Sequence, residues 1–155
     1  MKKPVIFVEL KIASKERYTC DIAEKLFNSS KTLTIYCRDA AVLSKLDGLL
    51  WTWKQESFIP HKIFEPANGE AEAVLLTSNA NNLPLTDVII LFDPLDSTKL
   101  KQYTVIIDFA EVYHAEKKIE SRQRFKQMRD SGLYDMHFMQ LGAFLSRNAQ
   151  HVTPA

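Results

Sequence analysis

A single α/β domain, with a mostly parallel sheet flanked by helices on both faces, is the fold class this sequence predicts. Three observations carry that expectation. Strand-like apolar runs alternate with helix-period segments at both ends of the chain, as when helices form the crossovers of a parallel sheet. Two central runs, 74–76 and 88–92, are continuously apolar, which suits strands covered on both faces. The length of 155 residues, 46% hydrophobic and 25% charged, fits one ordinary globular domain. The domain is expected over 1–150, with a frayed tail over 151–155.

The elements follow in order. Residues 4–10 are β-rich and bounded by charge, so they form the first strand. A helix runs over 14–28, with Tyr18, Ile22, Leu26 and Phe27 recurring at helical spacing. Asn28-Ser29-Ser30 ends it. Residues 33–37 form the second strand, and Asp39 caps a helix in which Leu43, Leu46 and Leu50 recur. Segment 51–70, with Pro60 and Pro66, is irregular. After the two central strands, 74–76 and 88–92, separated by a loop at 79–84, a strand spans 103–109. A charged helix then runs over 113–131, and Gly132 stops it as a C′ residue.

Composition excludes several classes. Cys20 and Cys37 form no C-x-x-C pair and have no histidine at ligand spacing, so they read as reduced core thiols. The apolar run after Lys2 and Lys3 is too short for a signal peptide, and Glu9 interrupts it. No stretch approaches the roughly 18 apolar residues of a membrane span. A cytoplasmic protein without a membrane contact is expected. The net charge of +1 argues against wholesale nucleic-acid binding. Charge is unevenly distributed, however. Six basic and three acidic side chains fall in 115–131, leaving fourteen basic and sixteen acidic side chains elsewhere.

Parallel α/β folds often bind nucleotides, which requires glycines between the first strand and the first helix. The four glycines, Gly48, Gly69, Gly132 and Gly142, all lie elsewhere. The expected arrangement is therefore Rossmann-like without the nucleotide-binding glycine loop, and no cofactor is expected. An alternative is a small metal-dependent phosphotransfer or hydrolytic enzyme using the strand-end residues Asp39, Asp93 and Asp108, with Asp96 nearby. Such carboxylates are also common turn and cap residues. His61, His114, His137 and His151 are scattered and belong to no nucleophile motif.

The charged helix lacks an apolar stripe. Lys118, Arg122, Phe125 and Arg129 fall within an arc of about 60°, with Lys126 beside it, while Ile119 and Met128 point in opposite directions. Two readings fit this row. One is a solvated face with Phe125 partly tucked under its neighbours. The other is a site for an acidic peptide ending in a hydrophobic residue, with the ring packing on Phe125 and the cations holding carboxylates. A third possibility for the helix is direct DNA binding, which the net charge disfavours. In 45–64, Trp51, Trp53 and Phe58 either cap the core or form an apolar partner patch.

Two segments resemble the chi subunit of DNA polymerase III. In 35–61, Cys37, Asp39, Leu46, Asp47 and Trp51, followed by the run Glu56-Ser57-Phe58-Ile59-Pro60-His61, match a strand–helix–loop segment of that family. In 106–132, Asp108, Phe109, Lys118, Arg122, Arg124, Phe125, Lys126 and Gly132 match its V-D-F strand end, K-x-x-x-R-x-R-[YF]-K run and closing glycine. Together they span about a third of the chain. Phe125 stands where the family usually has tyrosine, one extra residue lies between Phe109 and Lys118, segment 62–86 matches poorly, and the chain after Gly132 resembles nothing specific.

The resemblance implies a non-catalytic, two-partner adaptor of the replicative polymerase. One surface, carried over as Lys118, Arg122, Phe125 and Lys126 with Ala110 at its edge and Arg129 continuing the row, would take the acidic tail of single-stranded DNA-binding protein, which ends in proline and phenylalanine. The other, placed at Trp51 and Phe58, would bind the psi subunit of the clamp loader. Such a chain would touch DNA only indirectly, standing alone as a monomer and forming a heterodimer with psi.

Overall fold

The computed structural model describes residues 2–52, 58–65 and 72–146. Seven strands form one sheet: β1 (Lys3–Leu10), β2 (Leu33–Tyr36), β3 (His61–Ile63), β4 (Val74–Thr77), β5 (Val88–Leu91), β6 (Val105–Glu111) and β7 (Tyr134–Gln140). The helices are α1 (Lys15–Asn28), α2 (Ala40–Thr52), α3 (Ala115–Asp130) and the short α4 (Leu141–Leu145). Strand order is β3-β4-β2-β5-β6-β1-β7, and all six pairings are parallel. Parallel neighbours need long crossovers. Between β5 and β6 the crossover carries only a single 3-10 turn, Ser97–Lys99.

The apolar runs explain the core. β2, β4 and β5 are buried at every position. In β1 the side chains alternate between two clusters. Ile6, Val8 and Leu10 join Ile22 and Leu26 of α1, Leu46 and Leu50 of α2, and Phe144 of α4. Val5 and Phe7 face the other way, with Tyr103, Ile106 and Met128 of α3. Each such side chain contributes roughly 1.5–3 kcal/mol by leaving water. The second face is covered thinly, by α3 and the crossover that carries Leu100 and Tyr103.

Local signals behave as their chemistry dictates. Asp39 Oδ1 accepts the Ala41 N–H at 2.8 Å, capping α2. Gly132 has φ +73°, the left-handed conformation of a C′ residue after α3. Cys20 and Cys37 are buried and free, and burial pushes both thiols up to about 12. Two expectations need correction. The strand expected from Tyr103 begins at Val105, because Tyr103 turns into the core and donates its hydroxyl to the Pro84 carbonyl at 2.6 Å. The segment expected to be irregular contains β3, a three-residue strand too short to show periodicity. Beyond Gly132 the chain forms β7, where Asp135 and His137 interleave with Met136 and Phe138 as suits a half-exposed edge. The expected tail over 151–155, together with Trp53, Glu56, Ser57, Pro66, Gly69 and His151, lies outside the described residues.

Candidate functional site: the α3 cleft

α3 is fastened to β6 by polar contacts rather than by an apolar stripe. Only Ser121 and Met128 of its residues are buried. The Ser121 hydroxyl accepts the Glu111 N–H at 3.2 Å and lies 2.7 Å from the Lys117 carbonyl. One turn on, Arg124 grips Asp108 with two bonds, Nε to Oδ2 at 3.1 Å and Nη2 to Oδ1 at 3.2 Å, and also reaches the Phe109 carbonyl. The Asp108 carboxyl is enclosed. Burial raises its pKa, and the Arg124 guanidinium opposes that rise. A helix held by its inward Ser, Arg and Met leaves its cationic row free to face elsewhere.

That row borders a cleft of about 630 Å³. Lys118, Arg122, Phe125, Lys126 and Arg129 line one wall, and Ala110 lies on the floor with Val112. All six residues singled out in sequence thus share one depression. Phe125 is half-buried, its ring edge-on to Phe7 with centroids 5.2 Å apart. Arg122, Lys126 and Arg129 are exposed. Phe125 is partly tucked under, as on a solvated face, but it opens onto a cavity. Sequence reasoning missed Phe7, Glu9 and Phe138, which complete the floor from β1 and β7. Alternation along β1 places Phe7 and Glu9 on the α3 face and could have found them. Phe138 lies in a strand that carried no recognised signal.

A second feature lies on α2 and the chain leading into β3. Trp51 and Phe58 are 53% and 69% exposed, with ring centroids 5.9 Å apart. Trp51 also lies against the buried His61 ring at 4.4 Å. His61 is pinned in turn: Nδ1 lies 2.7 Å from the Ile59 carbonyl and Nε2 lies 3.0 Å from the Asp47 carbonyl. The aromatic pair therefore stands outward on a fixed base.

A model of the family "DNA polymerase III chi subunit, HolC" matches residues 1–135. This chain belongs to the DNA polymerase III chi subunit family. Its relatives agree. It is 26% identical over 122 residues to DNA polymerase III subunit chi of Escherichia coli K12, covering 78% of this chain and 82% of that protein. It is 27% identical over 118 residues to the chi subunit of Haemophilus influenzae, covering 76% and 81%. Among solved structures, T4 UvsW superposes with a TM-score of 0.64 at 9% identity, over 90% of this chain and 42% of that one. A likeness at that identity shows the fold alone.

For a chi-family chain, the strand-end carboxylates do structural work. Asp39 caps α2, Asp93 accepts the Arg38 N–H at 2.8 Å, and Asp108 is held by Arg124. They do not converge, and among the described residues no group of His, Cys, Asp and Glu could hold a metal ion. Asp96 accepts the Thr98 N–H in the 3-10 turn. Where a nucleotide-binding fold opens its first helix to phosphate, Lys15 pairs with Glu111 at 3.1 Å, over the rings of Phe92 and Phe109. No helix among the described residues is long and apolar enough to cross a membrane.

Proposed function

We propose that this chi-family chain is a non-catalytic, cytoplasmic adaptor, binding the acidic C-terminal tail of single-stranded DNA-binding protein in the α3 cleft and the psi subunit at the Trp51–Phe58 patch. The carrying observation is that a row of cations and an aromatic floor share one cavity. A tail ending in phenylalanine with a free carboxylate has complementary chemistry: the ring fits against Phe125 and Phe7, and Arg122 suits a bidentate grip on carboxylate. Exposed ion pairs contribute only about 0–1 kcal/mol each. Affinity therefore rests on the aromatic contact plus several charges acting together.

Calorimetric titration with a synthetic Asp-rich peptide ending in Pro-Phe tests this reading. Binding in the micromolar range is expected. It should weaken as salt rises and weaken in Arg122→Glu. Absence of binding, or an unchanged affinity in Arg122→Glu, refutes the tail site. Tight binding of bare single-stranded DNA with a steep salt slope would instead favour direct DNA recognition. The psi surface is supported by the exposure of Trp51 and Phe58, two aromatics of the kind that anchor interfaces.

A further inference from the structure

Glu9 is out of place in a cleft lined by Lys118, Arg122, Lys126 and Arg129. It lies on the same face of β1 as Phe7, one pleat further along, between Ala110 of β6 and Gln140 of β7 in register. Its side chain is only 16% exposed, and Oε1 is out of water with no hydrogen-bond partner. The Lys11 ammonium stands 3.5 Å away but is itself 64% exposed and not aligned for a hydrogen bond. An enclosed carboxylate oxygen without a donor is costly. The terminal torsion of a glutamate is soft, so either oxygen can turn toward the cavity.

We infer that Glu9 is a specificity-determining residue of the cleft, accepting a main-chain N–H of the docked acidic segment. The inference rests on the tail-binding reading above. The side chains of such a segment only accept hydrogen bonds, so its main-chain amides are the donors it offers. Glu9 thus reads the backbone of the guest, while the α3 cations read its carboxylates. The same carboxylate repels an acidic side chain from the floor, which fixes the guest's register along the cleft.

The test separates this role from simple electrostatics, because the two predict opposite signs. By charge alone, removing a negative group from the cleft tightens binding of an acidic peptide. If Glu9 is an acceptor, Glu9→Ala weakens binding of the Asp-rich Pro-Phe peptide about tenfold. Glu9→Gln keeps an acceptor oxygen and restores affinity to within about threefold of the parent. Methylating the peptide's phenylalanine amide nitrogen, and in separate peptides the others, should weaken binding to the parent protein at one position and leave Glu9→Ala indifferent there. Equal or tighter binding by Glu9→Ala, equal weakening in both variants, or N-methyl effects that do not depend on Glu9 overturn the assignment while leaving the tail site standing. Failure of the parent protein to bind the peptide overturns both.

Discussion

Phe125 meets Phe7 edge-on, with ring centroids 5.2 Å apart and planes at 75°. One ring belongs to the cationic helix and the other to β1, the strand between β6 and the edge strand β7. The contact therefore joins the cleft's wall to the core of the sheet. An edge-to-face pair adds about 0.5–1.5 kcal/mol beyond burial.

Removing the Phe125 ring should therefore register twice. Phe125→Ala is expected to lower stability by about 1–2 kcal/mol, less than a fully buried phenylalanine, since its ring is half-exposed. It should also weaken tail-peptide binding at least tenfold. Phe125→Tyr keeps the ring and should keep both properties. Denaturant melts paired with titrations check this, and unchanged peptide affinity in Phe125→Ala would contradict the aromatic contact.

The Arg124–Asp108 pair carries a pH signature. Burial raises the Asp108 carboxyl pKa in the folded state. The folded protein thus holds this proton more tightly than the unfolded chain. Its contribution to stability is fully present below the ordinary carboxylate value and declines as pH rises through the raised folded value. Arg124→Ala strips the counter-charge, raising the pKa further and enlarging that decline. The variant should lose about 3–5 kcal/mol at neutral pH and recover part of it on mild acidification. Urea melts across the carboxylate range check the slope; a loss independent of pH would count against a buried unpaired Asp108.

Trp51 and Phe58 offer the opposite balance. Both are largely exposed, so Trp51→Ala and Phe58→Ala should each cost little more than about 1 kcal/mol of stability. Each should weaken binding of purified psi at least tenfold if they anchor that interface. Co-purification and titration with psi decide this. Variants that fold normally and still bind psi would place the interface elsewhere.

Ser30 adopts φ +62° after α1, where Lys31 N–H reaches back to the Leu26 carbonyl at 3.0 Å. A residue with a Cβ is strained in this left-handed position. Ser30→Gly is expected to stabilise the protein by about 0.5–1 kcal/mol, seen as a higher thermal midpoint with peptide binding unchanged.

The parallel architecture, the α3 row and the cap at Asp39 were legible in the sequence because each depends on local order alone: unbroken apolar runs, a 100° turn per residue, and a side-chain oxygen two residues from an amide. The motifs around Trp51 and Phe125 likewise carried the family resemblance without coordinates. What the tertiary structure decided was adjacency across the sheet. Only strand order puts Phe7 of β1 and Phe138 of β7 beneath α3, and only register places Glu9 beside Ala110. It also turned Arg124 inward onto Asp108 while its neighbours Phe125 and Lys126 face the cleft. β3 and β7 escaped for a related reason: one is too short for any period, and the other is an edge whose mixed side chains acquire meaning from the strand they pair with.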